Sequence, residues 1–248
     1  MRNLLALVIA VLTVPAFAEF QTETICNKDE RVPSTISEVG RATTASGSGT
    51  CTLTLIGRSC AISAGHCSSV LKIGEFNTLP STAKGKKVRS LPEDTYEIDP
   101  ASIVQDYTGL GNDWAVFKFR PNNITQKLPG DVQGFLNVRF TQPEQGAIMR
   151  ISGYGTDYGE PTRHLAQQTN TGELLSANSS SSAIQYRVDT MGGNSGSSLI
   201  DENTREVFGI HTNGGCIRNV NSGGNWGVSI AKNAALTAAI KSCLDSDK

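Results

Sequence analysis

The sequence predicts an all-β protein in which many short strands form barrels or a sandwich. Glycine is frequent, at 25 of 248 residues, and only 18% of the residues are charged. Short apolar or alternating runs recur along the chain and are separated by turn residues, which is typical of strands joined by tight connections. Only one stretch has helical spacing, so a series of alternating strands and helices is disfavoured.

Local patterns give the individual elements in chain order. The predicted strands cover residues 50–64 (two short strands around a Gly-Arg turn), 113–119, 147–155, 182–188 and 206–212. In DWAVFKF, residues 113–119, apolar side chains occupy both alternating sets, which predicts a strand buried largely on both faces. The one predicted helix covers residues 235–244, and LPGDVQGF places a candidate domain boundary near residues 130–140.

The N-terminal stretch MRNLLALVIAVLTVPAFAEF has the features of a signal peptide. Arg2 is positively charged, the apolar run over residues 4–14 is too short to cross a bilayer, and Ala16-Phe17-Ala18 fits a cleavage site. Residues 1–18 are therefore expected to be removed on export, and no later stretch approaches transmembrane length. We expect a secreted, monomeric mature protein that is not bound to a membrane.

Charge and cysteine content limit the partners and cofactors. The net charge is −1 without a basic block, so nucleic acid is not an expected partner. All six cysteines follow residue 18, and an even number in an exported chain predicts three disulfides with 15 possible connectivities. No C-x-x-C pair is present, and His66 is the only histidine close to a cysteine, so a zinc site is disfavoured. No metal ligands are predicted and no cofactor is expected; calcium dependence stays open, although no acidic loop of recognisable spacing is present.

Three short motifs carry candidate chemistry: SAGHC with His66, DWAV with Asp113, and GGNSGS with Ser195. Nucleophilic catalysis by a hydroxyl needs a base, an acid that orients the base, and donors for the oxyanion. His66, Asp113 and Ser195 can supply the base, the orienting acid and the nucleophile. The backbone N–H groups of Gly193 and Ser195 can supply the donors, because glycine lets the backbone turn an N–H inward.

Together these motifs resemble the catalytic motifs of chymotrypsin-fold serine endopeptidases, in the order His, Asp, Ser. The resemblance covers residues 24–245 and implies two six-stranded antiparallel β-barrels with a C-terminal α-helix. The N-terminal barrel would then span residues 24–133, and the C-terminal barrel with the helix residues 134–248. An α/β-hydrolase is disfavoured, because GNSGS lacks the G-x-S-x-G spacing and the histidine precedes the serine. The expected substrates are proteins or peptides.

Within that fold the chain is most similar to the bacterial glutamyl endopeptidases of the V8 type. The similarity lies in DTMGGNSGS, in VFGIHTNGG, and in ICNKDER near the predicted mature N-terminus. It places Thr190 and His211 where these enzymes bind a glutamate carboxylate, whereas trypsin-like enzymes bind Arg or Lys through an acid at the position of Asp189. The substrate backbone is expected to pair as an added strand with the edge 212–215, which begins Thr212, Asn213, Gly214.

Three pocket preferences remain open at this point: glutamate, a basic side chain, or a small or mixed set. A buried Asp189 and a buried His211 cannot both address one charged side chain at low cost. The Glu-directed relatives also carry Asp-Thr here, so His211 is the more specific signal and favours glutamate. An enzyme with that preference could cleave after Glu23 and remove a short propeptide, residues 19–23. An inactive protease-fold binding module is the alternative from another class.

The resemblance also suggests how the six cysteines pair. Cys51 and Cys67 bracket the histidine loop, as the disulfide of this fold does. The C-terminal helix should cover the strand that contains Cys60, which suggests Cys60–Cys243. The remaining pair would be Cys26 with Cys216.

Overall fold

The computed structural model describes residues 23–176 and 181–247. The predicted signal peptide and residues 19–22 of the predicted propeptide lie outside the described residues. Two short strands come first, β1 (Glu23–Thr24) and β2 (Val32–Pro33). Two β-barrels follow, as the resemblance implied, with a helix at the C-terminal end.

The N-terminal barrel is built from seven strands that share one sheet. They are β3 (Val39–Thr43), β4 (Cys51–Leu55), β5 (Cys60–Ser63), β6 (Ile73–Glu75), β7 (Thr95–Glu97), β8 (Val104–Gly109) and β9 (Asn112–Lys118). The strand order is β7-β6-β3-β4-β5-β9-β8, and an antiparallel bridge between Ile98 and Phe119 joins the β7 and β9 ends. Six strands thus close the barrel, and β8 extends it as the outer arm of a hairpin with β9.

The C-terminal barrel closes by direct strand pairing. Its strands are β10 (Ile148–Gly153), β11 (Gln168–Ser176), β12 (Ala183–Arg187), β14 (Ser198–Asp201), β15 (Val207–Asn213) and β16 (Asn225–Ser229); the short strand β13 (Thr190–Met191) lies between β12 and β14 in the chain. The strand order β10-β14-β15-β16-β12-β11 is closed by the antiparallel pairing of β10 with β11. The expected two six-stranded barrels are therefore confirmed. β13 lies outside this barrel sheet and leads directly into the loop that contains Ser195.

The strands nearest the N-terminus pair with the C-terminal barrel. β1 pairs with β13, and β2 pairs with β11. The predicted N-terminal unit of residues 24–133 therefore differs from the strand pairing, because residues 23–33 attach to the other barrel. This arrangement brings the segment after Glu23 beside the loop that precedes Ser195.

Strand β9 and the C-terminal helix join the two barrels. Ala115 and Phe117 pack inside the N-terminal barrel, whereas Trp114 and Val116 pack into a second core between the barrels and the helix. This confirms the prediction that both faces of the strand are buried. Within residues 23–176 and 181–247, the α-helices are α1 (Pro129–Gln133) and α2 (Ala234–Asp245), and α2 agrees with the predicted helix.

Helix α2 begins at a side-chain cap and packs one face on the inter-barrel core. The Asn233 side chain accepts a hydrogen bond from the backbone N–H of Leu236, which satisfies a donor that the first helical turn leaves free. Leu236, Ile240 and Cys243 form its buried face. In the described part of the chain, no helix combines the length and the apolar character needed to cross a membrane.

Candidate active site

His66 and Asp113 lie side by side because their strands pair. His66 is in a single 3-10 turn, Gly65–Cys67, directly after β5, and Asp113 is in β9, the antiparallel neighbour of β5. Asp113 Oδ2 is 2.7 Å from His66 Nδ1, and Asp113 Oδ1 accepts a hydrogen bond from the His66 backbone N–H at 2.9 Å. A carboxylate on Nδ1 places the neutral ring's proton there and leaves Nε2 as a base.

Burial separates the roles that these two side chains can take. The Asp113 side chain is 2% exposed and the His66 side chain 27%, so the acid is sealed while the imidazole reaches the surface. The exposed ring of Tyr107, on β8, lies with its centroid 5.8 Å from that of His66. The arrangement suits a base whose Nε2 can contact a ligand while Asp113 fixes the ring through Nδ1.

The Cys51–Cys67 disulfide brings the Ser195 loop to the same place. The Cys67 sulfur lies 3.8 Å from the Ser195 carbonyl oxygen, and the ligand atoms of Cys51, His66 and Cys67 lie within 4.8 Å of one another. These three residues do not form a metal centre, because both sulfurs are bonded to each other and offer no thiolate. The disulfide thus lies close to both His66 and Ser195.

Backbone hydrogen bonds from both barrels hold the loop around Ser195. The Thr52 N–H donates to the Ser195 carbonyl at 2.8 Å, and the Gly196 N–H donates to the His211 carbonyl at 2.9 Å. The Thr52 hydroxyl donates to the Gly193 carbonyl at 2.9 Å. Among the described residues, the Ser195 hydroxyl has no hydrogen-bond partner, a condition common in unliganded sites whose contacts tighten when substrate binds.

Two backbone N–H groups of this loop are free to bind an anion. Neither the Gly193 N–H nor the Ser195 N–H donates to any group within residues 23–176 and 181–247. Gly193 has φ +104°, a conformation that side chains rarely adopt, and a Cβ there would lie 2.3 Å from the Tyr154 carbonyl oxygen. The glycine is therefore required for the turn that leaves this donor unpaired.

The predicted pocket residue His211 is buried in β15 and held by a tyrosine. His211 is 3% exposed, and its Nδ1 lies 2.6 Å from the hydroxyl oxygen of Tyr186. The same hydroxyl donates to the Trp226 carbonyl at 2.9 Å. Burial, and to a smaller extent the charge of His66, lowers the pKa of His211 from 6.5 to about 3.

Asp189 faces the N-terminal segment, which argues against the prediction that it binds a basic substrate side chain. Its Oδ1 accepts from the Cys26 backbone N–H at 2.7 Å, and its Oδ2 accepts from the Glu30 backbone N–H at 2.8 Å. Burial raises the pKa of this carboxyl, and these two hydrogen bonds oppose the rise. Asp189 is 4% exposed, so both oxygens are used to fasten residues 26–30.

The remaining predicted pocket residues line the end of β15. Thr190 is fully buried and accepts from the Asn225 side-chain amide at 3.2 Å. Thr212 lies at an irregularity in the β15–β16 pairing, between His211 and Asn213. Gly214 follows the strand, and its N–H and C=O bond to no described group, so an extended peptide could pair there.

All three predicted disulfides are present. They join Cys26 with Cys216, Cys51 with Cys67, and Cys60 with Cys243. The first fixes the N-terminal segment to the loop after Gly214, and the last fixes helix α2 to β5. Free cysteines do not occur in the described chain.

Sequence reasoning missed Tyr186 and the role of Arg31. Tyr186 lies in the predicted strand of residues 182–188, where nothing local indicated a contact with His211. Arg31 is 3% exposed, binds both carboxylate oxygens of Asp29, and donates to the Thr156 carbonyl at 3.0 Å. A buried charged side chain needs such partners, and the DER of ICNKDER was the available signal.

Comparison with known proteins gives one sequence family and several similar folds. The sequence pattern of the family described as Trypsin matches residues 31–238. A glutamyl endopeptidase of Bacillus licheniformis (strain ATCC 14580) is 26% identical over 212 residues, which cover 81% of this chain and 64% of that protein. The chain thus spans somewhat less than two thirds of that relative's length.

Two solved structures illustrate the shared fold. A Glu endopeptidase in complex with MPD has a TM-score of 0.65 and 21% identity, and the match covers 89% of this chain and 99% of that one. The protease Anisep from Arthrobacter nicotinovorans has a TM-score of 0.63 and 15% identity, with coverage of 87% and 99%. At these identities the likeness concerns the fold alone.

Proposed function

This chain belongs to the trypsin family of serine proteases, and from that premise we propose that it is a secreted endopeptidase that prefers glutamate, or aspartate, at P1. The observation that carries the preference is the pair formed by a buried His211 and an Asp189 carboxylate occupied by backbone donors. The glutamyl endopeptidase of Bacillus licheniformis, at 26% identity, supports the same preference.

In the proposed mechanism, Ser195 Oγ attacks the scissile carbonyl while His66 Nε2 takes its proton. Asp113 holds the Nδ1 proton through the 2.7 Å contact and stabilises the imidazolium that forms. His66 then donates the proton to the leaving amine, and an acyl-enzyme remains on Ser195. Water, deprotonated by His66, hydrolyses the acyl-enzyme and restores the free serine.

The oxyanion of each tetrahedral intermediate lies against the N–H groups of Gly193 and Ser195. Both donors are unpaired among the described residues, so no hydrogen bond has to break when negative charge develops. The loop is held from the N-terminal barrel by Thr52 and from the C-terminal barrel by His211. The donors are therefore preorganised, which is the condition for stabilising the transition state more than the ground state.

A P1 assay tests the preference. Chromogenic peptides that differ only in P1 (Glu, Asp, Gln, Arg or Ala) are compared by kcat/KM at pH 7.5. We expect Glu to be cleaved fastest and Arg not to be cleaved measurably. Turnover of the Arg peptide alone would establish the trypsin-like alternative and overturn the glutamate assignment.

An Asp189→Asn variant separates the two pocket interpretations further. In a trypsin-like enzyme, the loss of this charge would abolish cleavage after Arg. In the arrangement described here, Glu selectivity persists, and the variant instead loses about 1–3 kcal/mol of stability, because an amide nitrogen faces a backbone N–H. The two effects are read separately from peptide kinetics and urea denaturation.

The inactive binding module is tested by covalent labelling. A fluorophosphonate probe labels an activated serine, and we expect one label per chain, located on Ser195. Ser195→Ala should remain folded, lose the label, and lower turnover at least a thousandfold. An unlabelled but folded wild-type protein would support the binding module.

We also propose that processing exposes the N-terminus beside the pocket. Thr24 is paired with Thr190 in the β1–β13 ladder, so cleavage after Glu23 would leave the new α-amino group at the pocket wall. The mature protein would be a secreted monomer without cofactor or metal. N-terminal sequencing of secreted Ser195→Ala tests self-cleavage, because normal processing of that variant would show that another protease does it.

A further inference from the structure

The buried hydroxyl of Tyr186 determines which nitrogen of His211 can carry a proton. Tyr186 is fully buried in β12, and its oxygen lies 2.6 Å from His211 Nδ1 and 2.9 Å from the Trp226 carbonyl oxygen. A carbonyl oxygen can only accept, and a hydroxyl has one proton to donate. The tyrosine proton therefore lies toward Trp226, and the tyrosine oxygen accepts from His211 Nδ1–H.

The opposite proton arrangement is disfavoured by the same distances. If Tyr186 donated to His211, its oxygen and the Trp226 carbonyl oxygen would face each other at 2.9 Å without a proton between them. That arrangement would form one hydrogen bond instead of two and would leave the lone pairs of two oxygens facing each other, with only the Thr212 hydroxyl, at 3.4 Å, as a side-chain donor to the Trp226 carbonyl. In the neutral imidazole, Nε2 is consequently an acceptor with a free lone pair.

His211 Nε2 is the edge that a ligand can reach. It forms no side-chain hydrogen bond with a described group. Buried polar atoms without a partner do occur among the described residues, but this nitrogen is not one of them, so it retains some exposure. A neutral His211 in this tautomer cannot donate to a carboxylate from Nε2. An acidic P1 side chain and this nitrogen would present two acceptors to each other unless a proton is added.

The surroundings keep His211 neutral until a carboxylate arrives. The titratable groups that act on it are Tyr186 from β12 and His66 from the N-terminal barrel, and the positive charge of His66 opposes protonation. β16 carries no ionisable residue, and the acidic residue of β14, Asp201, is paired with Arg139 at 2.8 Å. No carboxylate of the described chain therefore supplies the counter-charge that an imidazolium at His211 would need.

We propose that binding of an acidic P1 side chain takes up one proton from solvent, which His211 Nε2 then shares with the substrate carboxylate, and that Tyr186 is the positioning residue that imposes this uptake. The inference rests on the proposed preference for glutamate. The proton adds to the Nε2 lone pair, Nδ1–H stays on Tyr186, and no covalent bond of the substrate changes. A glutamine side chain can donate its own N–H to Nε2 and needs no added proton.

The consequence is a pH-dependent choice between two isosteric substrates. Because the free site is unprotonated and the Glu-bound site is protonated, the ratio of kcat/KM for Glu over Gln peptides falls about tenfold per pH unit until the bound imidazolium titrates. Both substrates use the same catalytic groups, so any pH dependence of the chemical step cancels in the ratio. The effect differs from that of a contact between the carboxylate and the new α-amino group. That group loses its charge only above its ordinary pKa of about 7.7–8, so it would leave the ratio flat below about pH 7.

The kinetic test measures this ratio from pH 5.5 to 8.5 with Glu and Gln p-nitroanilide peptides. We expect a tenfold fall per unit over at least one unit in the wild type. In Tyr186→Phe the proton can move to Nε2, so the slope should flatten. Tyr154→Phe is the matched control: its hydroxyl is also fully buried and bonds a carbonyl, that of Val39 at 3.1 Å, but does not contact His211. This control should keep the wild-type slope.

Calorimetry keeps the proposal testable if Tyr186→Phe does not fold. Ser195→Ala is titrated with the uncleaved Glu or Gln peptide at pH 5.5, inside the range of the expected slope, in buffers of different ionisation enthalpy. We expect uptake of about one proton with Glu and none with Gln. A flat wild-type ratio, or zero uptake with Glu, overturns the proton coupling while Glu preference stands. If instead the Arg peptide has a higher kcat/KM than the Glu peptide, the proposed function is wrong.

Discussion

The titration of His211 predicts how acid destabilises the folded protein. Its pKa is about 3 in the folded state, compared with about 6.5 in an unfolded chain. Above pH 6.5 the residue is neutral in both states. Between pH 6.5 and 3, the unfolded state binds a proton at this histidine and the folded state does not. The free energy of unfolding therefore decreases as the pH falls through this range.

The size of this contribution follows from the two pKa values. Each pH unit well below 6.5 costs about 1.4 kcal/mol. Because the unfolded histidine is already half protonated at pH 6.5, lowering the pH from 6.5 to 4.5 should remove about 2 kcal/mol through His211 alone. No discount for solvent screening is needed, because the residue is 3% exposed. Other groups also titrate in this range, so the contribution must be isolated by difference.

The contribution of His211 is isolated by urea denaturation of Ser195→Ala and of Ser195→Ala/His211→Phe at pH 6.5 and at pH 4.5. The serine substitution is present in both variants to prevent autolysis. We expect the acid-induced loss to be about 2 kcal/mol smaller in the variant that lacks His211. Repeating the pair in 0.5 M NaCl should leave the difference unchanged, because the site is buried. An equal acid-induced loss in both variants would contradict a buried neutral His211.

Three further changes test the site and its frame. Asp113→Asn should lower kcat by about 10⁴ with an unchanged circular dichroism spectrum, because an amide does not hold the required tautomer of His66; a loss below tenfold would contradict this role. Gly193→Ala should lower kcat by about 10²–10³ in peptide hydrolysis with little change in KM, since the oxyanion donor must move; an unchanged kcat would argue against it. Replacing Cys51 and Cys67 together by serine should cost about 3 kcal/mol in urea denaturation, and no loss would show that the loop is held otherwise.

Much of the fold could be predicted because its signals are local. Strand β9 was recognisable from apolar residues in both alternating sets, and the helix of residues 234–245 from its apolar spacing. Such patterns reflect burial of neighbouring residues, which the order of amino acids encodes directly. The attachment of β1 and β2 to the C-terminal barrel has no local signal, because both are two-residue strands held by distant partners.

The residues of the candidate site were also recognisable, but not all of their contacts. His66, Asp113 and Ser195 stand in short motifs whose residue types match a reaction's needs. Asp189 stood in such a motif too, yet its carboxylate binds the backbone of Cys26 and Glu30 instead of facing a ligand. Cys26 and Glu30 lie 163 and 159 positions before Asp189 in the sequence, and these distant residues determine where its side chain points.

The order of residues alone was sufficient for an all-β class, the candidate His66–Asp113–Ser195 chemistry and an expectation of three disulfides. The family resemblance that the motifs carry added the two-barrel architecture and the cysteine pairing. Tertiary contacts were needed to assign Asp189 to the N-terminal segment and to reveal Tyr186 behind His211. The reason is physical: periodicity and residue type report what a segment can bury or react with, whereas the direction of a polar side chain depends on which distant donors and acceptors the fold brings within about 3 Å.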